Sequence, residues 1–192
     1  MKKRQFLGAA AAAGATWPLQ AAAASAPRGP ALLTISGAIA HPNRGPLDPA
    51  LDQMLVKHKV NFAQAYALDY NALLKLPAVT IRPTLEYDAK AHALRGPLLL
   101  DVLAHAGARM SEASKLVLRA VDGYAVALTP AQARAQRTIV ATSLDGMPMA
   151  LGGLGPLWAV CDADRVPELA ARPLQERFAA CPWGLYHIEV QG

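Results

Sequence analysis

The chain has 192 residues, of which 53% are hydrophobic, so it can bury the core of one ordinary domain. Its formal net charge is +5, but three of the basic residues and none of the acidic ones fall within the first 26 residues. Without that segment the net charge is +2, since 5 − 3 = 2. A charge so close to neutrality argues against a nucleic-acid-binding protein.

The first 26 residues have the pattern of a secretory signal. A positive start at residues 2–4 precedes a short apolar stretch at residues 6–15, and small residues follow up to Ala24 and Ala26. The apolar stretch is too short to span a membrane. Pro27 directly follows the second possible cleavage site, which favours cleavage after Ala24. The sequence therefore predicts a signal at residues 1–26 and an exported, periplasmic domain at residues 27–192.

The export route has two candidates. Residues 3–7, KRQFL, resemble the twin-arginine export signal, with Lys3 in place of the first arginine. The twin-arginine route carries proteins that fold and load a cofactor before export. Because of the lysine, ordinary secretion stays open as the second route.

Short strands and short helices alternate through the first half of the domain. The helix signals are a capping Asp48 followed by Pro49, a capping Asp69, and a terminating Gly107. Helices are predicted at residues 50–59, 70–76 and 98–106. Strands are predicted from β-branched runs at residues 32–35 and 79–84. Residues 60–67 fit neither pattern.

The second half contains the clearest local signals of the chain. Asp122 and Gly123 lie between two apolar runs, which is typical of a β-hairpin. Thr129, Pro130 and Gln132 form a capping box that predicts a short helix ending near residue 136. Further strands are predicted at residues 138–143, 157–160 and 183–190, and a helix broken at Pro173 is predicted at residues 167–180. This mixed order indicates a single α+β domain with a mixed sheet.

A glycine-rich segment lies within residues 138–160, TIVATSLDGMPMALGGLGPLWAV. Asp145 and Gly146 form a turn dipeptide, and Gly152, Gly153 and Gly155 follow. Since glycine has no Cβ, the main chain here can approach a ligand closely. The same glycines suit a mobile surface connection, and the sequence leaves both interpretations open.

The two cysteines, Cys161 and Cys181, both lie beyond the predicted signal. An even pair in an oxidising compartment favours a disulfide. Cys161 ends one predicted strand and Cys181 precedes another, so the thiols lie near each other if those strands pair antiparallel. Two small buried hydrophobic residues are the alternative, which the sequence leaves equally open.

The chain resembles the molybdopterin-binding domain of the sulfite oxidase superfamily in six segments, which are LTISGAI, ALLKLPAVTIRPTLEY, LRGPLLLDVLAHAGA, DGYAVAL, ATSLDGMPMALGGLGPLWAV and CPWGLYHIEV. It is most similar to the small, stand-alone periplasmic members. The resemblance covers nearly all of residues 27–192, with residues 44–65 as an insertion. It implies a mixed-sheet α+β fold whose loops hold a pterin, either free or as the molybdenum cofactor.

In the catalytic members of that superfamily a cysteine thiolate binds molybdenum, after the strand that corresponds to residues 79–84. Here that place reads PTLEYD at residues 83–88, with Glu86 and Asp88, which suit a solvated loop, but no cysteine. A soft metal held by a dithiolene normally takes a thiolate partner. The resemblance and the missing thiolate together predict a non-catalytic pterin-binding sensor or carrier. Some periplasmic relatives report pterins to a membrane-bound signalling protein.

Two other hypotheses stay open. One is a molybdopterin-dependent oxidoreductase with an atypical metal site, which the possible twin-arginine signal supports. The other is a structural or interaction domain that kept the fold and lost the ligand. Other chemistries are not indicated, because the chain has no G-x-S-x-G motif and its five histidines lack the spacing of a metal site.

A pterin is a flat, polar heteroaromatic ring. It needs an aromatic face to stack on, and carboxylate, guanidinium or main-chain groups along its edge. The segments that resemble the family offer five such residues, which are Arg82, Tyr124, Asp145, Trp158 and Trp183. Each has an alternative role: the three aromatic residues suit core packing, and Asp145 suits a turn. Arg82 lies in an apolar strand, where a long cation needs a partner.

Overall fold

The computed structural model describes residues 26–192. The predicted export signal lies outside the described residues except for Ala26, which is the first of them. Between residues 26 and 192, no helix is both long and apolar enough to cross a membrane.

Strands and short helices alternate along the described chain. The strands are β1 Ala31–Gly37, β2 Ala65–Asp69, β3 Ala78–Ile81, β4 Leu94–Pro97, β5 Lys115–Ala120, β6 Ala125–Leu128, β7 Ile139–Ala141, β8 Ser143–Leu144, β9 Met147–Pro148, β10 Trp158–Val160 and β11 Leu185–Gln191. The helices are α1 Gln53–Lys57, α2 Tyr70–Leu74, α3 Leu99–His105, α4 Pro130–Ala135 and α5 Pro167–Ala170. Short 3₁₀ turns at Ala163–Arg165 and Leu174–Glu176 lie on either side of α5.

The largest sheet has five strands in the order β2-β1-β11-β5-β6. β1 and β11 pair in parallel, with Thr34 opposite His187, and the other neighbouring strands are antiparallel. The first and last strands of the described chain thus lie side by side. Because Leu185 at the start of β11 faces Ala120 at the end of β5, the segment before β11 lies next to the β5–β6 turn.

Two smaller antiparallel sheets complete the fold. One has the order β3-β4-β8-β9, and the other pairs β7 with β10. In the second of these sheets Trp158 lies opposite Ala141. The β8–β9 turn is bonded to the loop between β3 and β4, since the Asp145 N–H donates to the Ala93 carbonyl over 2.7 Å.

Two hydrophobic clusters form most of the core. The first lies between the five-stranded sheet and α3 and includes the fully buried Leu33, Leu103, Leu118 and Ile188. The second surrounds Trp158 and includes Ile81, Leu94, Ile139 and Phe178. Full burial of an aliphatic or aromatic side chain stabilises the fold by about 1.5–3 kcal/mol. The structure confirms a single, strand-rich α+β domain with mixed and antiparallel sheets.

The predicted caps and the predicted hairpin are confirmed. The Gln132 N–H donates to Thr129 Oγ1 over 3.1 Å, and the Thr129 N–H donates to Gln132 Oε1 over 2.8 Å, which is a complete capping box at the start of α4. Asp69 Oδ1 accepts from the Ala72 N–H at the start of α2. β5 and β6 pair around the Asp122-Gly123 turn, although β6 begins one residue later than predicted.

The predicted helices at residues 50–59 and 167–180 are too long. Asp48 Oδ1 accepts from the Ala50 and Leu51 N–H groups, so the chain makes a tight turn before α1 begins. Lys59, with a φ of 58°, lies beyond its other end. After α5, Pro173 adopts an extended ψ of 144° and restarts the chain as a 3₁₀ turn.

Two predicted strands also have different limits. The strand predicted at residues 138–143 divides into β7 and β8, because Thr142 leaves β7 and its N–H donates to the Arg95 carbonyl in β4. The strand predicted at residues 183–190 begins only at Leu185, since Gly184 turns the chain with a φ of 60°. The ambiguous residues 60–67 end in β2.

Candidate ligand-binding cleft

The segment before β11 places Trp183 beside the β5–β6 turn. Trp183 pairs with Trp158 in an isolated antiparallel bridge. Gly184 then adopts the left-handed conformation that glycine tolerates, and its carbonyl accepts from the Val121 N–H at 3.0 Å. The chain at Trp183 is therefore held to β10 through the bridge with Trp158, and to the β5–β6 hairpin through the bond at Gly184.

A cleft of about 190 Å³ opens at this junction. Three segments contribute to its walls: the loop after β3, the β5–β6 turn, and residues 175–183. The side chains that give it its chemical character are Glu86, Tyr87, Asp122, Tyr124, Gln175 and Trp183. We call this site the aromatic cleft.

The aromatic cleft has three partly exposed rings. The exposed fractions are 37% for Trp183, 49% for Tyr124 and 55% for Tyr87. Large aromatic side chains are usually buried more deeply, and a group of exposed ones around a concave surface is typical of a binding site. These rings offer faces on which a flat ligand can stack.

Hydrogen bonds hold Tyr124 in place at both ends. Its hydroxyl donates to the Ala179 carbonyl over 2.6 Å, and its N–H donates to Asp122 Oδ1 over 2.8 Å. Within residues 26–192, Asp122 Oδ2 has no hydrogen-bond partner. One carboxylate oxygen of Asp122 is therefore available to a ligand in the aromatic cleft.

Glu86 makes the opposite wall of the aromatic cleft acidic as well. Partial burial raises the pKa of its neighbour Tyr87, and the negative charge of Glu86 raises it further. Trp183 has a smaller, opposing effect that lowers the pKa of Tyr87, so the loop after β3 and the segment before β11 meet at this ring. Two carboxylates in one small cleft favour a ligand whose edge carries N–H donors.

A larger cavity of about 650 Å³ lies between the start of the described chain and α2. Its lining includes Arg28, Lys75 and His105, and Tyr66 shares a hydrogen bond of 3.0 Å with His105 Nε2. Tyr66 is almost fully buried and presents no exposed face. This cavity contains none of the five predicted site residues, so the aromatic cleft is the better candidate for a flat ring.

Asp145 belongs to a separate polar group, with His92 and Asp88, that we call the His92 clamp. His92 Nδ1 lies 2.7 Å from Asp145 Oδ2, and its Nε2 lies 3.0 Å from Asp88 Oδ2. Hydrogen bonds to Asp145 and then to Asp88 raise the pKa of His92, and the bond from His92 lowers the pKa of both aspartates. The His92 clamp therefore favours the protonated form of the imidazole between its two carboxylates.

Arg82 is exposed and lies near the His92 clamp, outside the aromatic cleft. Its positive charge lowers the pKa of Asp145, after the larger effects of His92 and of the Ala93 N–H. Its own main-chain N–H is 3.4 Å from Asp162 Oδ2. Arg82 follows β3 instead of lying within it, and its guanidinium influences Asp145 through its charge.

Trp158 is fully buried in the second core cluster. Its indole Nε1–H donates to the Cys181 carbonyl over 2.8 Å, and its ring packs against Phe178 with centroids 6.1 Å apart. No face of this ring is open to a ligand. The structure thus brings Tyr124 and Trp183 together in the aromatic cleft, and leaves Arg82, Asp145 and Trp158 outside it.

The structure also pairs a serine with a histidine, which the sequence did not indicate. Ser36 Oγ lies 3.0 Å from His187 Nε2, and Arg119 lies 3.3 Å from Nδ1, where a catalytic triad has a carboxylate. Both residues are buried in the five-stranded sheet. Burial, and then the charge of Arg119, lower the pKa of His187 to about 4. This pair is a neutral part of the core.

Four residues of the aromatic cleft were not predicted as ligand contacts. Asp122 was recognised only as half of a turn, and Glu86 only as a loop residue. Its neighbour Tyr87 was not singled out, and Gln175 carries no local signal. A turn aspartate two residues before an aromatic side chain is a signal that could have identified Asp122.

Among residues 26–192, no group of three or more His, Cys, Asp or Glu side chains is arranged to hold a metal. Cys181 is the thiol that lines the aromatic cleft. Its interaction with Cys161, and then its burial, raise its pKa well above the usual range. A metal ligand needs the deprotonated thiolate, so this thiol is poorly suited to the role.

Comparison with known proteins leaves the family unassigned. No protein-family model matches the chain, and no curated protein matches its sequence. The likeness to the sulfite oxidase superfamily therefore rests on the sequence segments alone.

Proposed function

We propose that this protein is an exported, periplasmic pterin-binding protein of the sulfite-oxidase-like type, acting as a non-catalytic sensor or carrier. The observation that carries the proposal is the aromatic cleft, in which three partly exposed rings lie beside two carboxylates. A membrane-bound signalling protein is the partner that a sensor of this kind requires.

The chemistry of the aromatic cleft matches a pterin. The 2-amino-4-oxo-pyrimidine edge of a pterin carries adjacent N–H donors, which a carboxylate accepts. Asp122 has an oxygen for these donors, and Glu86 supplies a second acceptor. Trp183 and Tyr87 offer the faces for the bicyclic ring, and charged hydrogen bonds of this kind contribute about 1.5–3 kcal/mol each.

The size of the aromatic cleft favours a simple pterin. Its volume of about 190 Å³ is below the range of about 300–1,000 Å³ that is typical of pockets for drug-sized ligands. A single bicyclic ring suits this volume better than a pyranopterin with its third ring, dithiolene and phosphate. The volume supports a free pterin over the full molybdenum cofactor.

The loop at residues 82–93 supports the same choice. By the resemblance, this loop corresponds to the one that carries the metal-binding cysteine in catalytic relatives. Here the loop contributes the carboxylate of Glu86 and the phenol of Tyr87 to the aromatic cleft. An oxygen-rich lining suits the polar edge of a pterin, whereas a soft metal prefers a thiolate.

A molybdopterin-dependent oxidoreductase is the alternative, and one observation favours it: Cys181 lines the same cleft as the loop at residues 82–93. Its raised pKa argues against it as a metal ligand. The alternative predicts molybdenum in protein that is exported from a host able to make the cofactor.

The deciding experiment is anaerobic purification of the natively exported protein, followed by mass spectrometry of the bound small molecule and metal analysis. We expect a simple pterin and no stoichiometric molybdenum. A pyranopterin dithiolene with molybdenum would overturn the proposal in favour of the oxidoreductase.

A fluorescence titration tests the site itself. After removal of the predicted signal, Trp158 and Trp183 are the two tryptophans of the chain. We expect 7,8-dihydropterin to quench the emission of the wild type, and Trp183→Phe to lose most of that change while retaining binding by equilibrium dialysis. Tyr70→Phe, which removes a hydroxyl bonded to Thr142 outside the aromatic cleft, is the matched control. Unchanged emission and no dialysis signal would favour a domain that has lost its ligand.

A further inference from the structure

The two cysteines meet through the pairing of β10 with the segment before β11. Cys161 follows β10 directly, and Cys181 begins the segment that runs antiparallel beside it. The bridge between Trp158 and Trp183 fixes this register, and each thiol shifts the pKa of the other. β10 and β11 do not themselves pair, so the two cysteines come together through this isolated bridge and not through a shared ladder of two strands.

The cysteine pair is buried but adjoins two cavities. Cys161 is fully buried and Cys181 is 7% exposed. Both thiols line a cavity of about 320 Å³, and Cys181 also lines the aromatic cleft. The cavity lies against both cysteines, and the cleft gives the slightly exposed Cys181 a contact with the candidate ligand site.

The two thiols differ in reactivity. A hydrogen bond from Cys181 lowers the pKa of Cys161, whereas the same bond and burial raise the pKa of Cys181. A thiolate is the form that attacks a disulfide. The directions of these shifts favour Cys161 as the thiol that attacks first, with Cys181 completing the bond.

We propose that Cys161 and Cys181 form a reversible disulfide by exchange with an external disulfide, and that this bond changes the aromatic cleft through Trp183. Any effect on pterin affinity rests on the proposed function. The disulfide and its effect on Trp183 do not depend on that function.

The exchange has two steps. The Cys161 thiolate, having lost its proton to solvent, attacks one sulfur of the external disulfide, and the other external sulfur leaves as a thiolate. That thiolate takes the proton of Cys181, and the Cys181 thiolate attacks Cys161 Sγ. The second external sulfur leaves and takes a proton from solvent. The protein pair loses two electrons, and the external disulfide becomes two thiols.

The change can reach the aromatic cleft through a short rigid path. The Cys181 carbonyl is held by the indole N–H of Trp158, and Pro182 alone separates Cys181 from Trp183. A covalent bond brings the two sulfurs closer than a hydrogen bond does. The Cys181 carbonyl is held in place, and Pro182 restricts the backbone. We therefore expect movement of Cys181 to displace Trp183.

The redox state can be measured by alkylating the exported protein with iodoacetamide in denaturant, with and without prior dithiothreitol, and recording intact masses. We expect alkylation of both thiols only after reduction. In glutathione buffers of increasing oxidised fraction, the native reduced protein should convert fully and reversibly. Thiols that alkylate without reduction, and that stay reduced in oxidised glutathione, would overturn the proposal.

Stability and tryptophan quenching report the consequences of the bond. We expect the disulfide form to melt about 10 °C above the dithiol form, and acrylamide to quench Trp183 to a different extent in the two forms. Cys161→Ala and Cys181→Ala should both show the dithiol values under all redox conditions. Identical quenching in the two redox forms of the wild type would overturn the link to the aromatic cleft.

Pterin titrations separate this inference from the proposed function. We expect the Kd of 7,8-dihydropterin to differ by about fivefold between the two redox forms, the lower end of typical coupling between sites. Equal affinity in both forms would overturn the coupling and leave the proposed function intact. Absence of binding in both forms would overturn the proposed function. The intact masses would then still show whether the disulfide forms, and acrylamide quenching would show whether it affects Trp183.

Discussion

Two Asp-Gly dipeptides each turn a β-hairpin in this protein, yet their carboxylates have different surroundings. Asp145, between β8 and β9, accepts from the Ala93 N–H over 2.8 Å and from His92 over 2.7 Å, one bond to each oxygen. Asp122, between β5 and β6, accepts only from the Tyr124 N–H within the described part of the chain. The same dipeptide thus fixes a loop at one site and offers an acceptor at the other.

The two turns differ in their backbone. Asp145 and Gly146 have φ values of 49° and 83° and form a tight two-residue connection, with Leu144 opposite Met147. The Asp145 N–H donates to the Ala93 carbonyl, so the turn is bonded to the loop at residues 82–93 in both directions. At the Asp122 turn, no neighbouring loop within residues 26–192 donates a hydrogen bond to the carboxylate. A turn aspartate is available to a ligand only where no neighbouring loop takes its oxygens.

The largest effect we expect distinguishes Trp158, which is buried in the core, from Trp183, which lines the aromatic cleft. Trp158→Ala should lower the free energy of unfolding by about 4 kcal/mol, because it empties a fully buried site in the core. Trp183→Ala should change stability far less, since its ring is partly exposed, but should abolish pterin-dependent quenching. Urea unfolding and fluorescence titration measure the two effects. Equal stability losses for the two variants would contradict the assignment of Trp158 to the core.

The pH dependence of the free energy of unfolding distinguishes the buried His187 from the His92 clamp. His187 has a pKa of about 4 in the folded protein against an ordinary 6.5, so the unfolded chain binds its proton first as the pH falls. Stability should therefore decrease by about 3 kcal/mol between pH 6.5 and pH 4. Urea unfolding across this range measures the slope, and His187→Gln should flatten it. An unchanged slope in that variant would contradict the assignment.

The His92 clamp should stay closed over the same pH range. The pKa of His92 is raised and those of Asp88 and Asp145 are lowered, so all three shifts favour the charged forms of these groups. A raised histidine pKa contributes stability below pH 6.5 that is lost as the pH rises through the folded-state pKa. The His92 clamp and His187 therefore respond to pH in opposite directions.

The comparison of the two turns has a direct test in matched substitutions. Asp122→Asn should weaken binding of 7,8-dihydropterin about tenfold, because it removes the charge from a hydrogen-bonded acceptor. Asp145→Asn, the same change at the other Asp-Gly turn, should leave the Kd unchanged. Calorimetric titration of both variants measures the difference. An equal loss of affinity in the two variants would show that the aromatic cleft is not the binding site.

The smallest effect is local and confined to the His92 clamp. His92→Gln removes the cation between Asp88 and Asp145, so the Asp145 bond to the Ala93 N–H should open more often. Hydrogen exchange at Ala93 should become faster, with little change in global stability. His58→Gln, which alters a histidine bonded to Tyr186 elsewhere, is the control. Unchanged exchange at Ala93 would mean that His92 does not hold the loop.

The local features of the fold could be predicted because their causes lie within a few residues. The capping box of Thr129 and Gln132 joins residues three apart, and the Asp69 cap joins Asp69 to Ala72. Both hairpin turns were visible as Asp-Gly dipeptides. The end of β7 and the start of β11 could not be predicted from the sequence. They depend on the hydrogen bond from the Thr142 N–H to β4 and on the turn at Gly184.

The candidate site could be predicted only in part. Tyr124 and Trp183 were singled out, and the structure places both in the aromatic cleft. The roles of Trp158 and Trp183 could not be distinguished, because both follow apolar or proline-containing sequence and only burial separates them. Glu86 and Gln175 carry no local sign that they approach Asp122.

The sequence by itself determined the α+β character, the two Asp-Gly turns, the helix caps and the lack of a cysteine at residues 83–88. Each of these depends on residue identity or on bonds between near neighbours. Only the tertiary structure decided which carboxylate is available and which tryptophan is exposed. The physical reason is the antiparallel pairing of β11 with β5, which places residues 175–183 beside the β5–β6 turn and the loop after β3. The same segment, where it pairs with β10, joins the two cysteines.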